Sequence, residues 1–253
     1  MKLSVCIEMI GKEVPFLERI ALAAEAGYNA IEFWSWANKD IDAIAAAAMA
    51  SNVTVAGMVA TSGKLVDPSL RDRLVEEVKS TIEVAKRLSC TTLIVTTGNE
   101  LPDMPRAQQH DSVVAGLKKV APLAEQAGMV LVLEPLNLLV DHQGYYLSTS
   151  PEGFDIIRQV DSPAVRLLFD VYHQQVTEGN VTANMLANLD LIGHVHVADV
   201  PGRHEPGTGE LNYGNICRML SDAGYDGYVG LEFKPTRPSQ EVLRSVYELC
   251  RPI

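Results

Sequence analysis

Four side chains able to bind a metal ion or move a proton lie at the ends of four apolar runs. LVLEPLN contains Glu134, LLFDVYHQQ contains Asp170, HVHVAD contains His196 and GLEFKP contains Glu232. Carboxylates and imidazoles are groups that can take up and return protons in catalysis. Three carboxylates and an imidazole in one apolar site need a compensating charge. An oxygen-rich set with one imidazole suits Mg²⁺ or Mn²⁺ as that charge.

The alternation of residues along these runs indicates that the four groups face one way. In HVHVAD, His194 and His196 share one face, and in LVLEPLN Val132 and Glu134 do the same. A single glutamate at a strand end is as often a salt-bridge or capping residue as a ligand. Four such groups on four consecutive strands, in one register, favour a shared site.

Eight β-type runs must position these groups, and they alternate with eight segments of helical period. The runs are 3–10, 30–34, 53–60, 91–97, 129–135, 165–172, 192–199 and 228–234. Eight βα units predict an α/β fold, a (β/α)8 barrel, as a single domain over residues 1–253, with reactive groups at the C-terminal strand ends. A doubly wound sheet is the structural competitor. Against it, no GxGxxG follows the first strand and no Walker-type GxxxxGK[ST] is present.

Composition excludes several classes of partner. The 253 residues are 47% hydrophobic and carry a net charge of −11, which argues against nucleic acid or an anionic membrane surface. No apolar window approaches the ~18 residues of a membrane span. The four cysteines form no CxxC pair. We therefore expect a reduced, cytoplasmic, soluble protein. Homo-oligomerisation is compatible with the sequence, although no segment identifies an interface.

The loop after the seventh run, PGRHEPGTGE, is charged and rich in glycine. Arg203 offers a planar, permanently charged fork that suits a carboxylate, so we expect Arg203 and His204 to bind a small acidic substrate. Glu205 is expected to orient either neighbour. The alternative is a solvated loop whose Arg–Glu pair contributes little.

Further polar and aromatic residues share the faces of these strands. His173 is predicted to contact the substrate, as is Lys234, which shares a face with Glu232. Trp34, on the face of Glu32 in IEFWSW, is expected either to wall the pocket or to pack at the barrel rim. His194 is predicted to be a hydrogen-bonded core histidine.

The sequence resembles the xylose-isomerase-like barrel superfamily and, within it, the hydroxypyruvate isomerase family. The likeness is carried by EVPFLERIALAAEAGYNAIEFW, LVLEPLN, FDVYHQQ, HVHVADVPGRHEPGTGELNYG and GYDGYVGLEFKP. The resemblance implies that Glu134, Asp170, His196 and Glu232 hold a divalent metal and that the two glutamates move protons. Some relatives carry Asn where Cys6 stands.

The activity that the resemblance implies is interconversion of hydroxypyruvate and tartronate semialdehyde, or of a related small 2-oxo or hydroxy acid. A ketose 3-epimerase acting on sugars with the same site is the nearest alternative. A nuclease similar to endonuclease IV would need several zinc ions and a basic surface. A sugar-acid sensor would bind its ligand without proton exchange.

Overall fold

The chain folds into a closed barrel of eight parallel strands, arranged in chain order. The structure is a computed structural model and describes residues 1–60 and 64–250. Within those residues the strands are β1 (Lys2–Cys6), β2 (Ala30–Phe33), β3 (Thr54–Val59), β4 (Thr92–Val95), β5 (Val130–Leu133), β6 (Val165–Asp170), β7 (Ile192–Val197) and β8 (Tyr228–Leu231). The predicted barrel is confirmed and the doubly wound sheet is excluded. Each strand is shorter than the apolar run that predicted it.

Nine α-helices connect or flank the strands in the described part of the chain, one more than the eight predicted. They are α1 (Glu18–Glu25), α2 (Ile41–Ala50), α3 (Arg71–Arg87), α4 (Arg106–Ala127), α5 (Ser150–Val160), α6 (Val171–Thr177), α7 (Val181–Leu186), α8 (Tyr213–Asp222) and α9 (Ser239–Cys250). None of these helices is both long and apolar enough to cross a lipid bilayer.

The additional helix, α6, corrects the predicted end of the sixth strand. The run to residue 172 was expected to be extended, but β6 ends at Asp170. The Asp170 carboxylate accepts hydrogen bonds from the backbone N–H groups of Tyr172 (2.8 Å) and His173 (3.2 Å). Asp170 is therefore the N-cap residue of α6. His173 lies in this helix and not in a strand.

One compact unit comprises Met1–Met58, Arg87–Cys90 and Val195–Ile253. Within it, β1 pairs with β2 on one side and with β8 on the other, and β7 pairs with β8. His196 lies opposite Gly230 in the β7–β8 register.

A second compact unit comprises Val59–Lys86 and Thr91–His194. Within it, β4 pairs with β5 and β5 with β6. Ile94, Val132 and Leu168, one residue from each strand, form a buried cluster, and Val59 and Val130 pack against it. The apolar runs therefore build the core of this unit. The single-domain expectation for residues 1–253 stays a prediction, and residues 61–63 and 251–253 in that range lie outside the described residues.

Candidate active site

The four predicted metal ligands all lie at the C-terminal ends of strands. Asp170 is the last residue of β6 and His196 the penultimate residue of β7, while Glu134 and Glu232 directly follow β5 and β8. All four are buried, with exposed fractions between 1% and 8%. This is the end of a (β/α)8 barrel at which reactive groups are found.

These four side chains could hold a metal ion. One ligand atom from each of Glu134, Asp170, His196 and Glu232 lies within 4.8 Å of the others. Buried carboxylates this close together repel one another unless a cation or a proton compensates them. The donor set, three carboxylates and one imidazole, suits a hard divalent cation.

Glu232 is contacted by side chains from several parts of the chain. Its Oε1 accepts a hydrogen bond from Trp34 Nε1 at 2.7 Å and lies 3.9 Å from Cys6 Sγ. The Arg203 guanidinium donates to Oε2, and His196 Nδ1 lies 3.6 Å from the same oxygen. Residues that follow β2 and β7 therefore fix this carboxylate, while Trp34 keeps 42% of its surface exposed.

Arg203 thus pairs with a predicted catalytic glutamate. Its backbone adopts the left-handed region at φ 57°, and its carbonyl oxygen accepts a hydrogen bond from Lys234 N at 2.7 Å. The guanidinium of Arg203 donates to Glu232. Its contact with a substrate carboxylate stays a prediction.

The other predicted contacts in this region differ in exposure. His204 Nδ1 lies 2.9 Å from the carbonyl oxygen of Lys234, and the Lys234 side chain is exposed.

Glu205 was expected to orient one of the two residues before it, and this was wrong. Its buried carboxylate accepts hydrogen bonds from Thr236 N (3.0 Å) and Oγ1 (2.5 Å), with Arg237 Nε at 3.9 Å. Glu205 therefore joins its loop to the segment after β8.

Asp199 is a residue that sequence reasoning missed. Its buried carboxylate accepts four backbone hydrogen bonds, from Val200 (2.9 Å) and Leu211 (3.2 Å) at Oδ1 and from Gly207 (2.8 Å) and Thr208 (3.0 Å) at Oδ2. One side chain therefore organises the loop that carries Arg203. An aspartate two residues after a barrel strand, followed by Val-Pro-Gly, was the available signal.

Glu32 contacts His196. The sequence places Glu32 on the same strand face as Trp34 but predicts no role for it. Glu32 Oε2 lies 2.9 Å from His196 Nε2, and Ser4 Oγ donates to Oε1. Glu32 and His196 are each 2% exposed. Glu32, His194 and His196 form a second buried group with metal-ligand chemistry. His194, predicted to be a core histidine, is buried.

His173, predicted to contact the substrate, is completely buried on α6. Its Nδ1 lies 3.2 Å from Asn137 N and 2.7 Å from Asn137 Nδ2. Both of those nitrogens are donors, so Nδ1 is the acceptor and the ring hydrogen lies on Nε2, 3.6 Å from Asp170 Oδ2. The ring is therefore oriented toward a predicted metal ligand, and its substrate contact stays a prediction.

The main chain at Glu134 is fixed by a buried tyrosine. The Tyr145 hydroxyl donates to Glu134 O at 3.1 Å and accepts from Thr97 N at 2.7 Å. Burial raises the pKa of the Tyr145 phenol, so the hydroxyl remains protonated and can donate. This arrangement positions the backbone from which the Glu134 side chain extends.

Cys6 is a buried neighbour of Glu232. Burial, and then the carboxylates of Glu232 and Glu32, raise the pKa of the Cys6 thiol well above its ordinary value. The thiol is therefore neutral at physiological pH and is a poor nucleophile.

Residues 20–251 match the family described as the xylose isomerase-like TIM barrel, in agreement with the fold. Hydroxypyruvate isomerase of Escherichia coli K12 is 28% identical, over 96% of this chain and 97% of the relative. A Xenopus laevis relative, provisionally named a hydroxypyruvate isomerase, is 31% identical over 93% and 90%. The 2-oxo-tetronate isomerase of Cupriavidus necator is 29% identical over 90% and 91%. The chain belongs to the hydroxypyruvate isomerase family of xylose isomerase-like barrels, and it is an isomerase.

Solved structures share the fold across nearly the whole chain. A Brucella melitensis protein described as an AP endonuclease of family 2 superposes with a TM-score of 0.93 at 28% identity, covering 98% of both chains. The 3-keto-D-glucoside 4-epimerase of E. coli superposes with a TM-score of 0.80 at 25% identity, covering 92% of this chain and 93% of the other. The same barrel therefore occurs in proteins described by different activities, so the substrate must be argued from the site.

Proposed function

We propose that this isomerase interconverts hydroxypyruvate and tartronate semialdehyde, or a closely related 2-oxo acid, with Glu134 and Glu232 as the acid–base pair. The observation that supports this most is the buried group of two glutamates, an aspartate and a histidine whose ligand atoms lie within 4.8 Å of one another. The relatives named hydroxypyruvate isomerase and 2-oxo-tetronate isomerase support this substrate class.

The reaction moves one proton between neighbouring carbons. One glutamate removes a proton from C3 of hydroxypyruvate, and the electron pair of that C–H bond forms the C2–C3 double bond of an enediolate. The hydroxyl proton of C3 passes to the oxygen on C2, and the other glutamate delivers a proton to C2. The product carries an aldehyde at C3 and a hydroxyl at C2. Two buried carboxylates suit this division of acid and base roles.

Glu134, Asp170, His196 and Glu232 would hold a divalent cation, and Mg²⁺ or Mn²⁺ suits their chemistry. When bound, the cation supplies Lewis-acid polarisation of the substrate carbonyl and stabilises developing negative charge. The protein residues orient the reacting carbon and exclude water from it.

Arg203 would bind the substrate carboxylate. Because its guanidinium already donates to Glu232, an incoming carboxylate would be held directly beside the proton-transfer group. His173, His204, Trp34 and Lys234 are the further residues that we assign to substrate contact. Among these, Trp34 donates a hydrogen bond directly to Glu232.

A substrate panel tests this assignment. Hydroxypyruvate, 2-oxo-tetronate and uncharged ketohexoses would be assayed after chelation, with and without added Mn²⁺ or Mg²⁺. We expect turnover of the oxo acids and its restoration by the cation. Turnover of the ketohexoses alone would establish the 3-epimerase alternative instead. Salt-sensitive DNA binding would support the nuclease alternative, which the net charge of −11 disfavours.

Glu134→Gln and Glu232→Gln should each lower kcat by about 100-fold or more, since each removes a proton-transfer group while keeping its shape. Circular dichroism should be unchanged. Glu125→Gln is the matched control, because Glu125 accepts a hydrogen bond from Ser162 on the surface (2.7 Å). Full activity in both site variants would refute the assigned roles.

The proposed location is the cytoplasm, because the four cysteines are buried thiols, which suit a reducing compartment.

A further inference from the structure

Glu32 and Glu232 lie near different nitrogens of the His196 ring. Glu32 Oε2 is 2.9 Å from His196 Nε2, whereas His196 Nδ1 is 3.6 Å from Glu232 Oε2. When Glu32 is ionised it can only accept, which places the hydrogen of this contact on Nε2. Ser4 Oγ donates to the other oxygen of Glu32, so both carboxylate oxygens have a partner.

The barrel leaves a space for this carboxylate at Gly230. A Cβ at Gly230 would lie 2.1 Å from Glu32 Oε1 and 2.8 Å from His196 Cδ2. Gly230 is the β8 neighbour of His196. Any side chain at position 230 would therefore make Glu32, His196 or both shift, and the glycine leaves room for their contact.

We propose that Glu32 is a positioning residue that holds His196 as the Nε2–H tautomer and so presents the Nδ1 lone pair to the cation. This inference rests on the proposed function, in which His196 is one of four ligands. Hydrogen-bonding the outer nitrogen of a metal-binding histidine to a carboxylate fixes the tautomer and the ring orientation and raises the basicity of the ligand nitrogen.

A second use of the same residues makes a different prediction. Glu32, His194 and His196 have ligand atoms close enough to hold a cation of their own. In that case the chain would bind two ions and Glu32 would be a ligand. With Glu32 positioning His196 instead, the chain binds one ion.

The first test observes the imidazole directly in the metal-free protein. Long-range ¹H–¹⁵N correlation spectra of the intact chain should show His196 as the Nε2–H tautomer. Glu32→Gln should populate the Nδ1–H tautomer, because a carboxamide can also donate to Nε2. Ser4→Ala should leave the Nε2–H tautomer dominant, since Glu32 still accepts from the ring. A wild-type Nδ1–H tautomer, or no change in Glu32→Gln, would overturn the proposal.

The second test measures Mn²⁺ binding by calorimetry. Glu32→Gln should weaken affinity by about 10- to 100-fold, and Ser4→Ala by a smaller factor. Glu205→Gln is the matched control, because it removes another buried carboxylate, one whose side-chain partners are Thr236 and Arg237, and its affinity should stay within about twofold of wild type.

The outcomes separate this inference from the proposed function. Wild-type affinity in Glu32→Gln, or two ions per wild-type chain falling to one in that variant, would overturn the positioning role and leave the metal site standing. A wild-type chain that binds neither Mn²⁺ nor Mg²⁺ would overturn the metal site and the positioning role together.

Discussion

Glu232 is the residue at which the site's contacts concentrate. An indole N–H and a guanidinium donate to opposite oxygens of its carboxylate, and the Cys6 thiol lies near one of them. Charge-assisted bonds of this kind are stronger and more directional than neutral ones. The carboxylate is therefore held in one orientation before substrate arrives, which is what proton transfer to a particular carbon requires.

Arg203→Ala should raise KM for hydroxypyruvate by about tenfold or more, because a charge-assisted hydrogen bond contributes about 1.5–3 kcal/mol. It should also lower kcat, since Glu232 loses a donor. Steady-state kinetics on hydroxypyruvate and on uncharged dihydroxyacetone separate the effects: KM should rise for the acid alone, while kcat falls for both.

Arg218→Ala, on α8, is the control for this change, because Arg218 is exposed and bonds Asn215 at 2.6 Å. If Arg203→Ala left KM for the acid unchanged, substrate carboxylate binding by Arg203 would be wrong.

At the scale of elements, the loop after β7 is ordered by Asp199, its second residue. Asp199 holds backbone N–H groups from both arms of the loop. Gly209 completes the turn, because a Cβ there would lie 2.1 Å from Val200 O. Arg203 reaches Glu232 from a loop whose geometry is set in this way, so the loop functions as a rigid extension of β7.

Asp199→Asn should loosen this loop, because an amide nitrogen cannot accept the two N–H groups that one carboxylate oxygen now accepts. Each unsatisfied buried donor costs about 1–3 kcal/mol. Amide hydrogen exchange should accelerate at the pair of N–H groups that faces the new amide nitrogen, either Gly207 and Thr208 or Val200 and Leu211. The value of kcat/KM should also fall.

Asp40→Asn is the matched control, because Asp40 accepts one backbone N–H at the start of α2, from Ala43 at 3.0 Å. Amide hydrogen exchange in Asp40→Asn should change at α2 alone. Wild-type exchange throughout the Asp199→Asn loop would contradict the role of Asp199.

The sequence predicted the strands and their reactive ends because apolar runs and two-residue alternation are local signals. It did not predict α6, because Val171 and Tyr172 favour strands and continue the apolar run of β6. Only the capping geometry of Asp170 ends that strand. These short-range hydrogen bonds from the backbone of residues 172 and 173 to the Asp170 side chain outweigh the strand propensity of Val171 and Tyr172.

At the scale of the whole molecule, closure of the barrel pairs residues that are distant in the chain. Glu32 and His196 are 164 residues apart and Arg203 and Glu232 are 29 apart. Such pairs depend on strand register and on rotamers, which sequence alone does not give. This is why the placement of the four candidate ligands at strand ends could be predicted, while the contacts of Glu32 with Ser4 and His196 and the Arg203–Glu232 pair could not.

The stability of the fold should fall in acid. Burial acts to raise the pKa of Glu205, but hydrogen bonds from Thr236 outweigh it and lower the pKa below the ordinary 4.5; a bond from Ser69 lowers the pKa of Asp67 below 3.8. A carboxylate with a lowered folded pKa stabilises the protein above its unfolded pKa, and this contribution disappears as pH falls through the folded value.

Glu205→Gln should therefore reduce the free energy of unfolding more at pH 7 than at pH 3, as measured by urea denaturation. Thr236→Val, which removes the Oγ1 donor to Glu205, should give an intermediate effect. Equal losses at both pH values in Glu205→Gln would contradict the assigned cause.

The most direct measurement of the central claim is solvent deuterium incorporation during turnover of hydroxypyruvate in D₂O, followed by proton NMR. If Glu134 and Glu232 exchange protons through an enediolate, the wild-type protein should place deuterium on C2 of the product, and neither glutamine variant should do so. Conversion with no deuterium in the product or in recovered substrate would contradict the account.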